Sequence, residues 1–289
     1  MNGVEQNMDG QMQNPELDLT VIIPVRNAEQ MIEACLDAIT RSNPREIIVV
    51  DGMSTDRTLE IARRYPVTIL SDDGKGVAAA RSVGAQAATS RWVALMDVDI
   101  VLPDRALADL FTEFRDGEYT ALQAGLHSVS GNGYWGRALV NHHRFGRSKN
   151  WPGVMATIFE RDALLRYGFD HRFLSGEDIE LRWRLKRSGA KVGVSRRTVV
   201  DHRFDDTFDF ARGQWLADGR GLGRMVQKYG WRAGMLIGLP LAASARGSAL
   251  SLVKKQPNWL PYYACYLVYN YVGMFATFSR SMLPNRSQS

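Results

Sequence analysis

At 289 residues, 45% hydrophobic and 23% charged, the chain has the composition of an ordinary folded protein. It is long enough for one large α/β domain with an appendage. Two cysteines, Cys35 and Cys265, exclude a disulfide framework and a cysteine zinc site, and they fit a reducing cytosol. The net charge of +5 divides unevenly: after the last acid, Asp218, the final 71 residues carry nine Lys/Arg, which leaves −4 over residues 1–218. A basic end of this kind points to an anionic partner such as a membrane surface. No nucleic-acid-binding module or motif is present, so nucleic acid is not an expected partner.

Residues 1–16 are Gln/Asn-rich without an apolar core, which predicts a loose tail rather than a signal peptide. Leu17–Pro24 reads as a buried strand stopped by Pro24. Asn27-Ala28-Glu29 can open a helix with Ile32, Cys35, Leu36 and Ile39 at helical spacing. Arg45–Asp51 is a second strand whose last residue is a carboxylate, and Thr55 or Asp56 can cap a helix over Leu59–Arg64. Pro66–Leu70 is a third strand, and Ser71–Gly76 is a loop into an Ala-rich helix, Val77–Ala88.

Trp92–Asp99 then reads as a buried strand ending in Asp97-Val98-Asp99. On an extended chain, side chains two apart face the same side, roughly 7 Å apart. Two such carboxylates repel unless a cation joins them, and the hard cation suited to carboxylates and phosphates is Mg²⁺ or Mn²⁺. Strands alternating with helices predict a parallel sheet, and ligands of such sheets collect beyond the carboxyl ends of the strands. Asp51, Asp72/Asp73 and Asp97/Asp99 all fall there. A rival reading takes Gly74-Lys75-Gly76-Val77-Ala78-Ala79 as half of a dinucleotide fingerprint, with Asp97 about twenty residues on as the ribose acid. That reading makes the chain an NAD-binding oxidoreductase. The acids Asp72 and Asp73, beside the place a pyrophosphate would occupy, count against it.

Further on, Trp151–Phe159 is an expected strand on the acceptor side and Arg161–Tyr167 a short helix. Gly176-Glu177-Asp178 precedes an expected helix over Ile179–Ser188, with helix capping as the alternative role for Asp178. Thr198–His202 is a late strand end. His142 and His143 fall in a Gly/Arg-rich loop, Asn141–Asn150, and receive no role. Asp209–Tyr229 reads as a basic helix, and residues 256–279 contain no charge but five tyrosines. That segment and Ala233–Val253 are expected to lie as in-plane amphipathic helices on anionic lipid, with soluble packing or a dimer contact, or a membrane span, as the alternatives. The expected organisation is a tail (1–16), a catalytic domain (17–205) and a helical region (206–289).

Taken together, Val21–Glu29, Ile48–Thr58, Gly74-Lys75-Gly76 with Ala80–Gly84, Asp97-Val98-Asp99 and Gly176-Glu177-Asp178 resemble a family 2 glycosyltransferase of GT-A fold. The resemblance covers roughly residues 18–205. It implies a Rossmann-like, mostly parallel sheet flanked by helices, and transfer of a sugar with inversion from a nucleoside-diphosphate donor, UDP favoured. The acceptor is a saccharide or a lipid-linked hydroxyl, and the cofactor Mn²⁺ or Mg²⁺. By resemblance, Asp51 and Arg81 hold the nucleobase, Lys75 borders the nucleotide, and Pro24, Asn27, Glu29 and Val98 line the same site. Asp97 faces ribose and metal, Asp99 is the principal metal ligand, and His202 stands where a third ligand is often supplied. Asp178 resembles the catalytic base, with Glu177 an acceptor-binding neighbour. Arg212, Gln214, Trp215 and Arg220 resemble an incomplete diphosphate-binding segment of processive enzymes, with a solvated basic helix as the alternative. Gly52 stands where the family often has a second acid, which bears on nucleobase identity. A non-catalytic nucleotide-sugar binder is the alternative from another class.

Overall fold

A computed structural model describes residues 15–145 and 153–281. Most of the expected tail, and Trp151 and Pro152 of the expected strand, lie outside the described residues. The chain forms two compact units. The first takes residues up to 127, together with 153–169 and 181–203; the second takes 128–145, 170–180 and the chain from 204 onward. The chain thus contributes to the second unit twice before residue 204, which no single boundary at 205 conveys.

In chain order the first unit begins with β1 (Leu17–Val25), α1 (Ile32–Arg41), β2 (Pro44–Asp51), α2 (Thr58–Ala62), β3 (Thr68–Ser71), α3 (Val77–Ala87), β4 (Trp92–Leu95), β5 (Ile100–Val101) and α4 (Ala106–Asp116). β6 (Ala121–Ser130) leads into α5 (Tyr134–Phe145), which belongs to the second unit. β7 (Thr157–Glu160), α6 (Arg161–Tyr167), α7 (Glu177–Arg187) and β8 (Val192–Phe204) follow. The sheet order is β3-β2-β1-β4-β7-β6-β8-β5. β3, β2, β1 and β4 are parallel, as their βαβ connections require. β4 with β7, β7 with β6, and β5 with β8 are antiparallel, so the sheet is mixed. Its apolar faces are covered on both sides: Ile32, Leu36 and Ile39 of α1 lie in one core, Ala78, Ala80 and Ala85 of α3 in the other.

Several local expectations change. β1 runs through Pro24 to Val25. Ile22 O accepts from Met96 N, so the nitrogen of Pro24 faces the same side two residues on, past the last β4 register pair, Ile22 with Leu95. No ladder partner is lost there. α1 opens at Ile32 rather than Asn27, because Asn27 and Glu29 are tied to the loop after β2. The strand expected over Trp151–Phe159 is the shorter β7, since Ala156 has a left-handed φ of 48° just before it. His142 and His143 lie on α5, while 146–150 fall outside the described residues.

The second unit continues with α8 (Phe208–Tyr229), a 3₁₀ segment (Gly230–Gly238), α9 (Leu239–Val253) and α10 (Leu260–Ser281). Its core is aromatic, built around Trp215, Tyr262, Tyr263 and Leu139. α10 buries Tyr262, Tyr263, Asn270 and Met274. One face of the uncharged segment 256–279 is therefore packing surface, while Val268, Val272 and Phe275 of α10 are exposed. Among the described residues one helical stretch, Phe208–Val253, is long and apolar enough to cross a membrane; 28% of its most apolar window is buried.

Candidate active site

The strand ends of the first unit carry the acids, and each has its own electrostatic arrangement. Asp51, buried at the end of β2, accepts from Ser54 N with both oxygens, at 3.2 Å. Asn27 braces the same loop: its Oδ1 accepts from Thr55 N at 2.8 Å and its own N–H donates to Ser54 Oγ at 2.9 Å. Glu29 Oε2 accepts from Arg57 N at 3.0 Å. Asn27 and Glu29 thus shape the loop that follows Asp51. Pro24, Arg26, Gly52, Asp72, Gly76 and Ala80 line a cavity of about 220 Å³ at the ends of β1 and β2.

Asp72, buried at the end of β3, accepts from Gly74 N at 2.8 Å and from Gly76 N at 2.9 Å. The backbone donors that a dinucleotide fingerprint offers to a pyrophosphate are therefore occupied by the protein's own carboxylate. This corrects the NAD-binding reading. Lys75 is exposed and pairs with Asp73 at 3.0 Å.

Asp97-Val98-Asp99 is a turn rather than a strand end. β4 stops at Leu95, and Ile100 N donates to Asp97 O at 3.2 Å. The pleat geometry expected of the pair does not apply, and the two carboxylates take different partners. Arg81, 3% exposed on α3, donates to Asp97 Oδ1 at 2.7 Å. Val98 packs on the core. The antiparallel pairing of β5 with β8 places Ile100 opposite His202, so His202 Nε2 lies 3.1 Å from Asp99 Oδ2. Asp99 Oδ1 is buried with no hydrogen-bond partner. Behind them, burial and then the negative charges of Asp99 and Asp97 push the Cys35 thiol up to about 12, so it is inert.

These residues fit a divalent cation through Asp99 and His202. Among the described residues no three His, Cys, Asp or Glu side chains form a complete cage. One or two protein ligands, with the rest of the shell from substrate phosphate and water, is the usual pattern for Mg²⁺ at phosphate-binding sites. The orphaned Asp99 oxygen is the observation that favours it, since a buried carboxylate oxygen without a donor is costly.

In the second unit, Glu177 and Asp178 form the first turn of α7, two residues earlier than the helix expected from Ile179. Gly176 precedes them with φ 78°, and a Cβ there would lie 2.8 Å from Gly221 Cα. Only glycine allows α8 to press its backbone on the acid-bearing loop. Asp178 Oδ1 accepts from Ile179 N at 2.8 Å, and Glu177 is buried. Glu180, fully buried, takes Lys228 Nζ at 2.5 Å and Tyr229 Oη at 2.6 Å, which fixes the turn to the end of α8. Asp218 on α8 is solvent-accessible yet ringed by protein. That desolvation, and secondly the negative charge of Asp178, raise its carboxyl to about 7. Asp218 stood out in sequence only as the last acid of the chain.

Two remaining expected site residues lie on α8 of the second unit. Trp215 is 1% exposed, packed on Tyr262 and stacked on Tyr269, and presents no surface to a ligand. In place of the expected donor contact it forms part of the second unit's core. Arg212 pairs with Asp209 at 3.1 Å.

A mixed α/β sheet with helices on both faces and acids beyond its parallel strands is the architecture of a GT-A fold. Residues 20–173 match the family model Glycosyl transferase family 2, and the chain belongs to that family. Among characterised relatives, the succinoglycan biosynthesis protein ExoA of Rhizobium meliloti is 27% identical over 283 residues, covering 86% of this chain and 82% of the relative. The pre-mycofactocin glycosyltransferase of Mycobacterium tuberculosis is 28% identical over 201 residues, covering 64% of this chain and 42% of the longer relative. In structure the chain is similar to the mannosyltransferase PcManGT of Pyrobaculum calidifontis in complex with GDP-Man and Mn²⁺. The TM-score is 0.61 at 20% identity, over 89% of this chain and 87% of that one. It is also similar to the glucosyl-3-phosphoglycerate synthase of Mycobacterium tuberculosis in complex with Mn²⁺, UDP and phosphoglyceric acid, with a TM-score of 0.54 at 21% identity, over 73% and 78% of the two chains.

Proposed function

We propose that the protein transfers a sugar, with inversion, from a UDP-sugar to a hydroxyl acceptor carried on a lipid, using Mn²⁺ or Mg²⁺. The observation that carries the reading is Asp99, with one oxygen on His202 and the other buried and open. Asp99 and His202 hold the cation. Bound there, it supplies Lewis-acid charge to the departing diphosphate. Arg81 neutralises Asp97 and orients its second oxygen toward the donor. Asp51 accepts from the nucleobase, and Pro24, Lys75 and Val98 border the nucleotide. Asp178 takes the proton of the acceptor hydroxyl, and Glu177 orients the acceptor. The Mn²⁺ in both solved relatives supports the metal, while their different nucleotides make the base preference worth measuring.

The second unit lies at the inner face of a membrane in this reading. Trp231, Met235, Leu241, Leu252 and Val253 are exposed apolar residues, and Arg232, Lys254 and Lys255 lie among them in sequence. Apolar side chains with basic neighbours suit an anionic lipid surface. A thermal-shift panel of UDP, GDP and TDP, each with and without Mn²⁺, tests the donor reading. A UDP response that requires Mn²⁺ is the expected result. Equal responses without metal would overturn the metal role, and a stronger GDP response would reassign the base.

A further inference from the structure

The second unit contains a cavity of about 460 Å³, enclosed by α8, α10 and the loop before α7. Its walls are largely apolar and include Leu174, Ala217 and Ala276. Its neutral polar groups are already used by the fold. Ser175 Oγ donates to Ala217 O at 2.8 Å, Gln227 Nε2 to Thr277 O at 2.9 Å, and Thr277 Oγ1 to Met274 O at 2.6 Å. What the cavity offers to a ligand is Arg220 and Arg224, one turn apart on the same face of α8. Neither makes a hydrogen bond or ion pair among the described residues. Ser175 on the rim is only three residues before Asp178.

Apolar walls with two uncommitted guanidiniums complement an amphiphile with an anionic phosphate head. Guanidinium binds phosphate in bidentate geometry, with charge-assisted hydrogen bonds stronger than neutral ones. A neutral saccharide would leave both charges unanswered, and a free phosphate would leave the apolar walls wet. We infer that this cavity binds a phosphorylated lipid, its phosphate on Arg220 and Arg224 and its chain along Leu174, Ala217 and Ala276. The site deepens the reading of a lipid-borne acceptor, and rests on it for its role in the reaction though not for its chemistry.

The test is equilibrium binding of decyl phosphate, below its micellar concentration, to the full chain, compared with decanol and inorganic phosphate. Decyl phosphate should bind at least tenfold more tightly than either. Arg220→Ala with Arg224→Ala should weaken it at least tenfold, while the paired Lys replacements keep most of the affinity. Ala276→Phe, which fills the cavity without touching charge, should block it as well, and it carries the test if the double alanine variant fails to fold. Inorganic phosphate binding as tightly as decyl phosphate, or decanol doing so, would overturn the inference. So would undiminished binding by a folded Ala276→Phe variant. UDP affinity in the presence of Mn²⁺, measured on Ala276→Phe, should not move. Loss of UDP binding in the unmodified chain would instead strike the donor reading and leave this cavity standing.

Discussion

Arg81 is the side chain whose removal most directly tests the electrostatics of the site. It is 3% exposed, and Asp97, which it meets at 2.7 Å, is 23% exposed. Breaking a fully buried ion pair by deleting one partner costs about 3–5 kcal/mol, because a charge is left uncompensated. Asp97 keeps part of its hydration, so Arg81→Met should cost less, about 2–3 kcal/mol. At about 2–4 °C per kcal/mol for a unit of this size, the first unit's unfolding midpoint should fall by about 5–10 °C. Asp97→Asn should also destabilise, since it removes the negative charge beside a buried guanidinium. The double variant should then lie about 2 kcal/mol closer to the parent than the sum of the singles. Thermal unfolding of the four proteins at pH 7, followed by circular dichroism, gives the cycle. Additivity within about 0.5 kcal/mol would show that the two charges do not support one another, and Asp97 would then be available to a metal.

Three further outcomes follow from the geometry. Asp99→Ala should abolish the Mn²⁺-dependent part of UDP binding, and His202→Ala should weaken it by at least about tenfold; calorimetric titration of UDP with and without Mn²⁺ decides, and unchanged metal dependence in Asp99→Ala would exclude the site. Asp178→Asn should leave UDP affinity near normal and cut turnover by about 10²–10⁴-fold, the range for a lost general base. In the same variant the Asp218 carboxyl should move down from about 7, because one of the charges holding it up is gone, which a carbonyl-resolved NMR titration would register. His142 is held at about 4, below the ordinary 6.5, by burial and then by Arg246. Its folded pKa is depressed, so stability is full above pH 6.5 and is lost as pH falls toward 4, by about 3 kcal/mol in all. Urea unfolding at pH 7, 5.5 and 4.5 should show that loss, and His142→Phe should flatten it.

The β-branched runs Val21–Ile23 and Ile47–Val50 alternate with helical spacing in Ile32, Cys35, Leu36 and Ile39, and those local patterns are enough to specify the parallel half of the sheet. The turn at Asp97-Val98-Asp99 is not legible in this way, because it depends on β5 pairing with a strand about a hundred residues later. The same long-range pairing is what carries His202 to Asp99. Trp215 differs from its expected role for a related reason. Aromatic, uncharged sequence is written alike for a lipid-facing helix and for a helix packed on another, and only the partner distinguishes them. Asp72 looked like a repulsive neighbour for phosphate, whereas its oxygens complete the turn that opens α3.

The acids at the strand ends therefore differ less in position than in what already satisfies them. Asp51 is served by a backbone amide, Asp72 by two, and Asp97 by a buried arginine. Each of these is neutralised or solvated by the fold itself and would stabilise the turn with no ligand bound. Asp99 is different, because one of its oxygens is buried without a donor while the other faces an imidazole that can present a lone pair when neutral. An unmet buried oxygen beside an imidazole nitrogen is a poor arrangement for stability and a good one for a cation. Sequence spacing cannot separate these cases, since it shows carboxylates without their donors. The donors do separate them: Asp97 is answered by Arg81, and Asp99 beside His202 is the carboxylate that the proposed metal role rests on.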